Sequence, residues 1–252
     1  LNEKISGVVW AESLQQSSQM MNWAEANNQL TTNTVVDGLK TIAINVLGAA
    51  GYGFSQSWTP PNHNASAQST SQSFYDSISL QTQFFILTAL VPTTILRLPF
   101  MPKRIRNLAA AKLNFPRYAQ DLIETERVSQ ASKSTVRSNI MAMLLKALDH
   151  GDDIAEEKSR VQKQIAMSAD EVQGNLFILS IAGFETTANT MAYAVVCLAV
   201  YPEWQEWLIE EIDFVASQDP AELYEKTYPK LLRCLAFMVI LLIITIFSSL
   251  LT

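Results

Sequence analysis

The chain has 252 residues, 48% hydrophobic and 17% charged, which suffices for one domain with a substantial core and excludes a disordered or highly charged protein. Its formal net charge of −6 excludes a nucleic-acid partner, because neutralising phosphates needs clustered cations. No secretory-signal pattern opens the chain, and it starts at Leu1 rather than Met, so an N-terminal part is expected to be missing.

Strand signals are scarce and helical periodicity dominates, so the expected fold class is mainly α. Val8, Val9, Trp10, Leu14, Met20, Met21 and Trp23 suggest a first amphipathic helix. A second runs from about Thr34, with Val35, Val36, Leu39, Ile42 and Val46 on its apolar side, and fades into Gly51 and Gly53. Residues 55–73 are rich in Ser, Gln, Asn and Pro, and Pro60 and Pro61 stop any helix there. This reads as a surface loop, not a domain boundary.

Phe84 to Met101 is strongly apolar, broken by Pro92 and Pro99 and flanked by Arg97, Lys103, Arg104 and Arg106. Such a segment either lies in a membrane interface or forms a core helix with a solvated basic end. A long helix is expected to resume after Pro116, through Tyr118, Leu122 and Val128. Another starts at Ser138, carries Ile140, Met143, Leu144 and Leu148, and ends at His150–Gly151. Residues 152–166 are charged and expected to be exposed.

Ser168 and Glu171 form an S-x-x-E capping box, a strong helix start. The helix should run to about Tyr201, where Pro202 opens the next one. Over residues 168–201 that is roughly 48 Å of helix, enough to cross a whole domain. It is apolar nearly all round, from Leu176 to Leu198, as a centrally buried helix is. Between Glu171 and Glu203 the only charged residue is Glu185. A buried carboxylate costs several kcal/mol unless paired or protonated. Gly183 sits two residues before it, and a helical Gly costs about 1 kcal/mol relative to Ala. Thr186 and Thr187 follow, and a Thr hydroxyl can bond back to a helix carbonyl and bend the helix. Three local penalties at one point read either as a site or as a structural polar pair in a bundle.

The remaining chemistry-bearing residues form no pattern. Cys197 and Cys234 lie in apolar runs without CxxC spacing and read as small buried hydrophobes. His63 and His150 read as surface loop residues, and the Asn64 sequon as unused.

The hexapeptide Ala182-Gly183-Phe184-Glu185-Thr186-Thr187 resembles the [AG]-G-x-[DE]-T-[TS] motif of the long central helix in cytochrome P-450 enzymes. Its setting is similar too. Tyr201-Pro202-Glu203-Trp204-Gln205 opens the next helix, and Tyr228-Pro229-Lys230-Leu231-Leu232-Arg233-Cys234 looks like the approach to the following one. Val9-Trp10-Ala11-Glu12-Ser13-Leu14 resembles an early helix of fungal microsomal members. The resemblance covers residues 1–238, as a partial domain of that fold.

The resemblance implies a monooxygenase that inserts oxygen from dioxygen into a small lipophilic substrate, using haem b and a reductase partner. Ala182 and Gly183 match the small residues that leave an oxygen groove beside the haem. Glu185 and Thr186 match the acid–alcohol pair that relays protons to dioxygen there. Phe84 to Met101 falls in the family's membrane-dipping access region, which implies an endoplasmic-reticulum membrane protein with a cytoplasmic-facing domain. A hydroxyl both donates and accepts, and a carboxylate can resupply protons, so the chemistry agrees with the resemblance.

Three departures stand out. The W-x-x-x-R pattern that holds a haem propionate should precede Leu1. After Met238 the E-x-x-R helix is replaced by Val239-Ile240-Leu241-Leu242, and the cysteine loop that supplies the axial thiolate never appears. The expectation is a truncated product with no metal ligand of its own, binding no haem as it stands and inactive. Leu235 to Thr252 is an uncharged apolar tail, near the roughly 30 Å bilayer core if helical. It reads either as a candidate transmembrane segment or as an exposed artefact. The alternative to an enzyme is a non-enzymatic helical protein anchored by that tail, without haem.

Overall fold

The computed structural model describes residues 3–27, 32–60, 70–131, 139–154, 167–216 and 224–250. Every regular element among them is helical. The Asn64 sequon, His63 and most of the charged stretch 152–166 lie outside the described residues.

Helix α1 (Glu3–Asn27) buries a stripe at four-residue spacing: Glu12, Gln16, Met20 and Ala24. Leu14 and Met21, expected on the apolar side, are 57% and 50% exposed. The buried polar groups displace them because each finds a partner. Gln16 donates to Glu12 at 2.8 Å, Asn45 donates to Gln16 at 2.9 Å, and Ser55 donates to Glu12 at 2.9 Å. Helix α2 (Thr32–Leu47) ends in a π turn, Gly48–Tyr52, closed by Gly53 at φ 76°. That left-handed conformation suits glycine, and here the reason is also one of space. A Cβ on Gly53 would stand 2.5 Å from the Asn139 amide nitrogen.

Helix α3 (Thr70–Gln83) is followed by two short helices, α4 (Phe85–Leu90) and α5 (Thr93–Leu96). Thr88 and Leu96 point inward, while Phe85, Ile86, Leu90 and Phe100 are exposed. Helix α6 (Lys103–Ala131) begins thirteen residues before Pro116 and runs through it, contrary to the expected start. Leu108, Ala109, Ala111, Phe115, Ala119 and Leu122 all bury on one side, and that packing outweighs the lost backbone bond of the exposed proline. Helix α7 (Ile140–Ile154) is capped by Asn139, whose Oδ1 accepts from the Ala142 N–H at 2.7 Å. It passes His150, which is therefore helical rather than in a loop. Its core face is Met141, Ala142 and Leu145; Met143 is 52% exposed.

The long helix expected over 168–201 is present with a bend at Phe184, which divides it into α8 (Ala169–Gly183) and α9 (Glu185–Val200). The capping box at Ser168 and Glu171 is present as read. Phe184 separates them while keeping right-handed helical angles, φ −99° and ψ −42°, so the path bends without stopping. Helices α10 (Pro202–Ala216), α11 (Tyr224–Thr227) and, after a 3-10 turn, α12 (Leu232–Leu250) complete the chain.

The main core lies where α2, α3 and α6–α9 meet, around Tyr52, Ile78, Phe115, Leu122, Leu145, Leu176 and Phe184. A satellite core joins α9, α10 and α12 through Leu208, Phe237 and Leu241, with both cysteines packed against it. Among the described residues no helix is long and apolar enough to cross a membrane, and Leu251 and Thr252, the end of the expected tail, lie outside them.

Candidate functional site

The bend at Phe184 arises from its neighbours. The Thr186 hydroxyl donates to the Ala182 carbonyl at 2.7 Å, and the Thr187 hydroxyl to the Gly183 carbonyl at 2.8 Å. These back-bonds draw the carbonyls away from the ordinary helix ladder and tilt the axis. The Phe184 ring, 4% exposed in the main core, holds the bend in place. One turn later the ladder is regular again, with the Ala188 N–H donating to the Phe184 carbonyl at 2.8 Å.

The four sequence-predicted site residues fall on two adjoining strips. Ala182 and Thr186 belong to an exposed stripe that continues through Ile178, Asn189, Tyr193 and Val196. Its apolar members are well exposed: Ile178 at 65%, Tyr193 at 59% and Val196 at 51%. Glu185 borders the stripe and is half-buried. Gly183 turns the other way. A Cβ there would stand 3.1 Å from Leu47 Cδ1, so its smallness serves the close approach of α2. Gly183, Thr187 and Met191 line a half-open apolar cavity of about 260 Å³ against Ile5, Val9, Val46 and Leu47.

One further group escaped sequence reasoning. Ser180, one turn before the bend, is fully buried against the Tyr52 hydroxyl. An isolated Ser and a distant Tyr carry no periodic or motif signal that could have paired them.

The stripe leaves this side of the helix open. Ala182 presents only a methyl group and Thr186 a short side chain, so a flat macrocycle can approach the helix axis there. The chain does not offer the opposite ligand. Cys197 is eleven residues beyond Thr186, about 16 Å along the helix, and packs with Leu198, Trp204 and Cys234 beside Phe237. Burial pushes the Cys234 thiol up, and the Glu211 carboxylate adds to that by charge and hydrogen bond, which disfavours a thiolate. No cluster of three His, Cys, Asp or Glu side chains able to hold a metal exists among the described residues.

Comparison with known proteins places the chain in a family. The family model for cytochrome P450 matches residues 10–231. Cytochrome P450 monooxygenase 124 of Postia placenta is 29% identical over 94% of this chain and 43% of its own length. Cytochrome P450 monooxygenase prx9 of Penicillium rubens is 28% identical over 85% of this chain and 36% of its own. The chain thus spans less than half the length of these curated relatives. A crystal structure of the cytochrome P450DA heme domain superposes with a TM-score of 0.60 at 12% identity, covering 89% of this chain and 43% of that one. At that identity the superposition speaks for the fold.

Proposed function

Because this chain belongs to the cytochrome P450 family, we propose that it is the oxygen-side part of a haem-dependent monooxygenase acting on a small lipophilic substrate, with a reductase as electron donor. The observation that carries this reading is the exposed stripe through Ala182 and Thr186, set on a bent helix with a half-buried carboxylate at its edge. Haem, when bound, supplies the oxidising chemistry. This chain's own side chains shape the oxygen face and handle protons there. Ala182 leaves room above the helix for dioxygen. The Thr186 hydroxyl donates to the Ala182 carbonyl and keeps its oxygen lone pairs open, so it can accept one proton while releasing another. Glu185, its neighbour, is the group that resupplies that proton. The apolar stripe, Ile178 and Tyr193 included, keeps bulk water from the same face once covered.

The chain by itself is read as holding no thiolate-ligated haem, since Cys197 lies about 16 Å along α9 from Thr186 and both cysteines pack against the core that joins α9, α10 and α12. The same proposal puts the protein at the endoplasmic-reticulum membrane with its helical domain on the cytoplasmic side. Its support is the exposed apolar run Phe85, Ile86, Leu90 and Phe100 beside the exposed Arg97, Lys103, Arg104 and Arg106.

The test is the carbon monoxide difference spectrum of the reduced, haem-loaded chain, beside the same chain continued by the C-terminal part of its relatives. A thiolate band is expected only from the extended protein. There, Thr186→Ala should keep the band and lower hydroxylation by about 10²-fold, the contribution of one positioned proton donor. A thiolate band from the short chain, or full turnover in the Thr186→Ala protein, overturns the reading.

A further inference from the structure

The π turn at the end of α2 carries a side chain that the proposed chemistry leaves unused. Tyr52, its last residue, is 1% exposed. Its hydroxyl lies 3.3 Å from the Leu176 carbonyl and also hydrogen-bonds the Ser180 hydroxyl, which donates to that same carbonyl. Ser180 and Leu176 are both fully buried. Burial pushes the Tyr52 phenol well above its usual range, so it stays a neutral donor throughout the pH range of the cell.

Two neighbours extend this contact along the helix. A Cβ on Gly51 would stand 3.5 Å from Leu179 Cδ2, and one on Gly183 would stand 3.1 Å from Leu47 Cδ1. Leu47, Gly51 and Tyr52 therefore grip α8 over its last two turns, up to the residue before the bend. The extra residue of a π turn rotates the next side chains by about 100° relative to a plain α-helix. That rotation aims Tyr52 at Ser180, and Gly53 then turns the chain away. Bulges of this kind are frequent at functional sites.

We propose that Tyr52 is a positioning residue: through Ser180 and the Leu176 carbonyl it fixes the bend at Phe184 and so the direction in which Thr186 and Glu185 point. The catalytic meaning of that direction rests on the monooxygenase reading; the mechanical coupling does not.

The full chain offers a clean probe, because the dipeptide Ala-Gly occurs only twice in it, at Ala50-Gly51 and Ala182-Gly183. Labelling alanine carbonyls with carbon-13 and glycine amides with nitrogen-15 gives one correlation signal for each pair. One reports the π turn and the other the bend. Tyr52→Phe removes only the hydroxyl and leaves Ser180 bonded to Leu176, so no buried donor is orphaned. Both signals should move, and amides of residues 184–190 should exchange with deuterium about fivefold faster, the equivalent of one net hydrogen bond. Amides of residues 108–122 should be unchanged. Ser180→Ala, which leaves the Tyr52 hydroxyl only its 3.3 Å contact with the Leu176 carbonyl, should move the same two signals, and the double variant no more than Tyr52→Phe; Ser180→Ala also decides the matter should Tyr52→Phe fail to fold. A moved Ala50-Gly51 signal with an unmoved Ala182-Gly183 signal overturns the proposal. So does faster exchange spread evenly over all helices, which would mean simple loss of stability. No haem enters this experiment, so it can fail while the carbon monoxide test of the monooxygenase reading succeeds, and the reverse.

Discussion

Helix α8 contains two glycines whose replacement by alanine should act in opposite directions. At Gly174 a new Cβ meets nothing within 4 Å. Gly174→Ala then gains helix propensity alone, about 1 kcal/mol. At Gly183 the Cβ would stand 3.1 Å from Leu47 Cδ1 and 3.3 Å from Cδ2. Both contacts are tighter than nine in ten real Cβ contacts, so Leu47 must give by a few tenths of an ångström, and overpacking of this kind costs about 1–3 kcal/mol. The propensity gain offsets part of that, the less so because Gly183 is the last residue of its helix. The net expectation for Gly183→Ala is a loss of about 1 kcal/mol, and 1 kcal/mol moves Tm by about 2–4 °C in a domain this size. The decisive comparison is made in a Leu47→Ala background. That change is costly by itself, about 2–5 kcal/mol, but it clears the space, so Gly183→Ala should there become neutral or stabilising. Thermal unfolding followed by far-UV circular dichroism, on the four proteins of this cycle and on Gly174→Ala, measures each term. Were Gly183→Ala to raise Tm as much as Gly174→Ala, or its penalty to persist without Leu47, the account of the close approach between α2 and α8 would be wrong.

Phe184→Ala should destabilise the fold by about 3–5 kcal/mol, as truncation of a buried aromatic does, and urea unfolding should show a midpoint shift of that size. The Ser168 backbone N–H, and then its hydroxyl, hold the Glu171 carboxyl below its usual range. A depressed folded value means that this contribution is present above the ordinary carboxylate range and is lost as pH falls through the folded value. Glu171→Gln should therefore flatten the acid limb of a Tm-against-pH curve, and parallel curves would refute the capping role. In a Cys197→Ser protein, Cys234 should alkylate more slowly folded than unfolded, since burial and then Glu211 raise its thiol. Glu211→Gln should speed the reaction and move its pH midpoint down, whereas an unchanged profile would remove Glu211 from the explanation.

The parts of this fold that were legible in the sequence were those with a local cause. The capping box at Ser168 and Glu171 could be read because both partners lie within one turn. The cluster from Ala182 to Thr187 could be read because several helix penalties coincide in an otherwise apolar run, and the bend sits there. Its exact form could not, because it depends on where Phe184 finds its place in the main core, and that core is built from helices distant in sequence. Pro116 misled for the same reason. Proline is a strong local stop, but the buried face from Leu108 to Leu122 is set by neighbours distant in sequence. In α1 Met20 was placed correctly and Leu14 and Met21 were not, since burial of Glu12 and Gln16 depends on acceptors and donors supplied by Asn45, Ser55 and Gln56. Gly183 was read for its size, and the partner that requires that size, Leu47, lies on another helix.

The polar seam of α1 also discriminates between alignments. Its buried stripe repeats every four residues, so a slide of one turn along α2, about 6 Å, would keep a stripe facing a stripe. With leucines throughout, the two alignments would be close in energy. Here a slide sets Met20 or Glu12 where Gln16 now meets the Asn45 amide and the Gln56 carbonyl. Gln19 would likewise leave the Trp58 N–H, which it now accepts from at 2.6 Å. Each group stranded in this way costs about 1–3 kcal/mol, and two or three together exceed what a neater apolar fit could return. The seam therefore acts as a vernier: it contributes little to how tightly α1 is held, and a great deal to where.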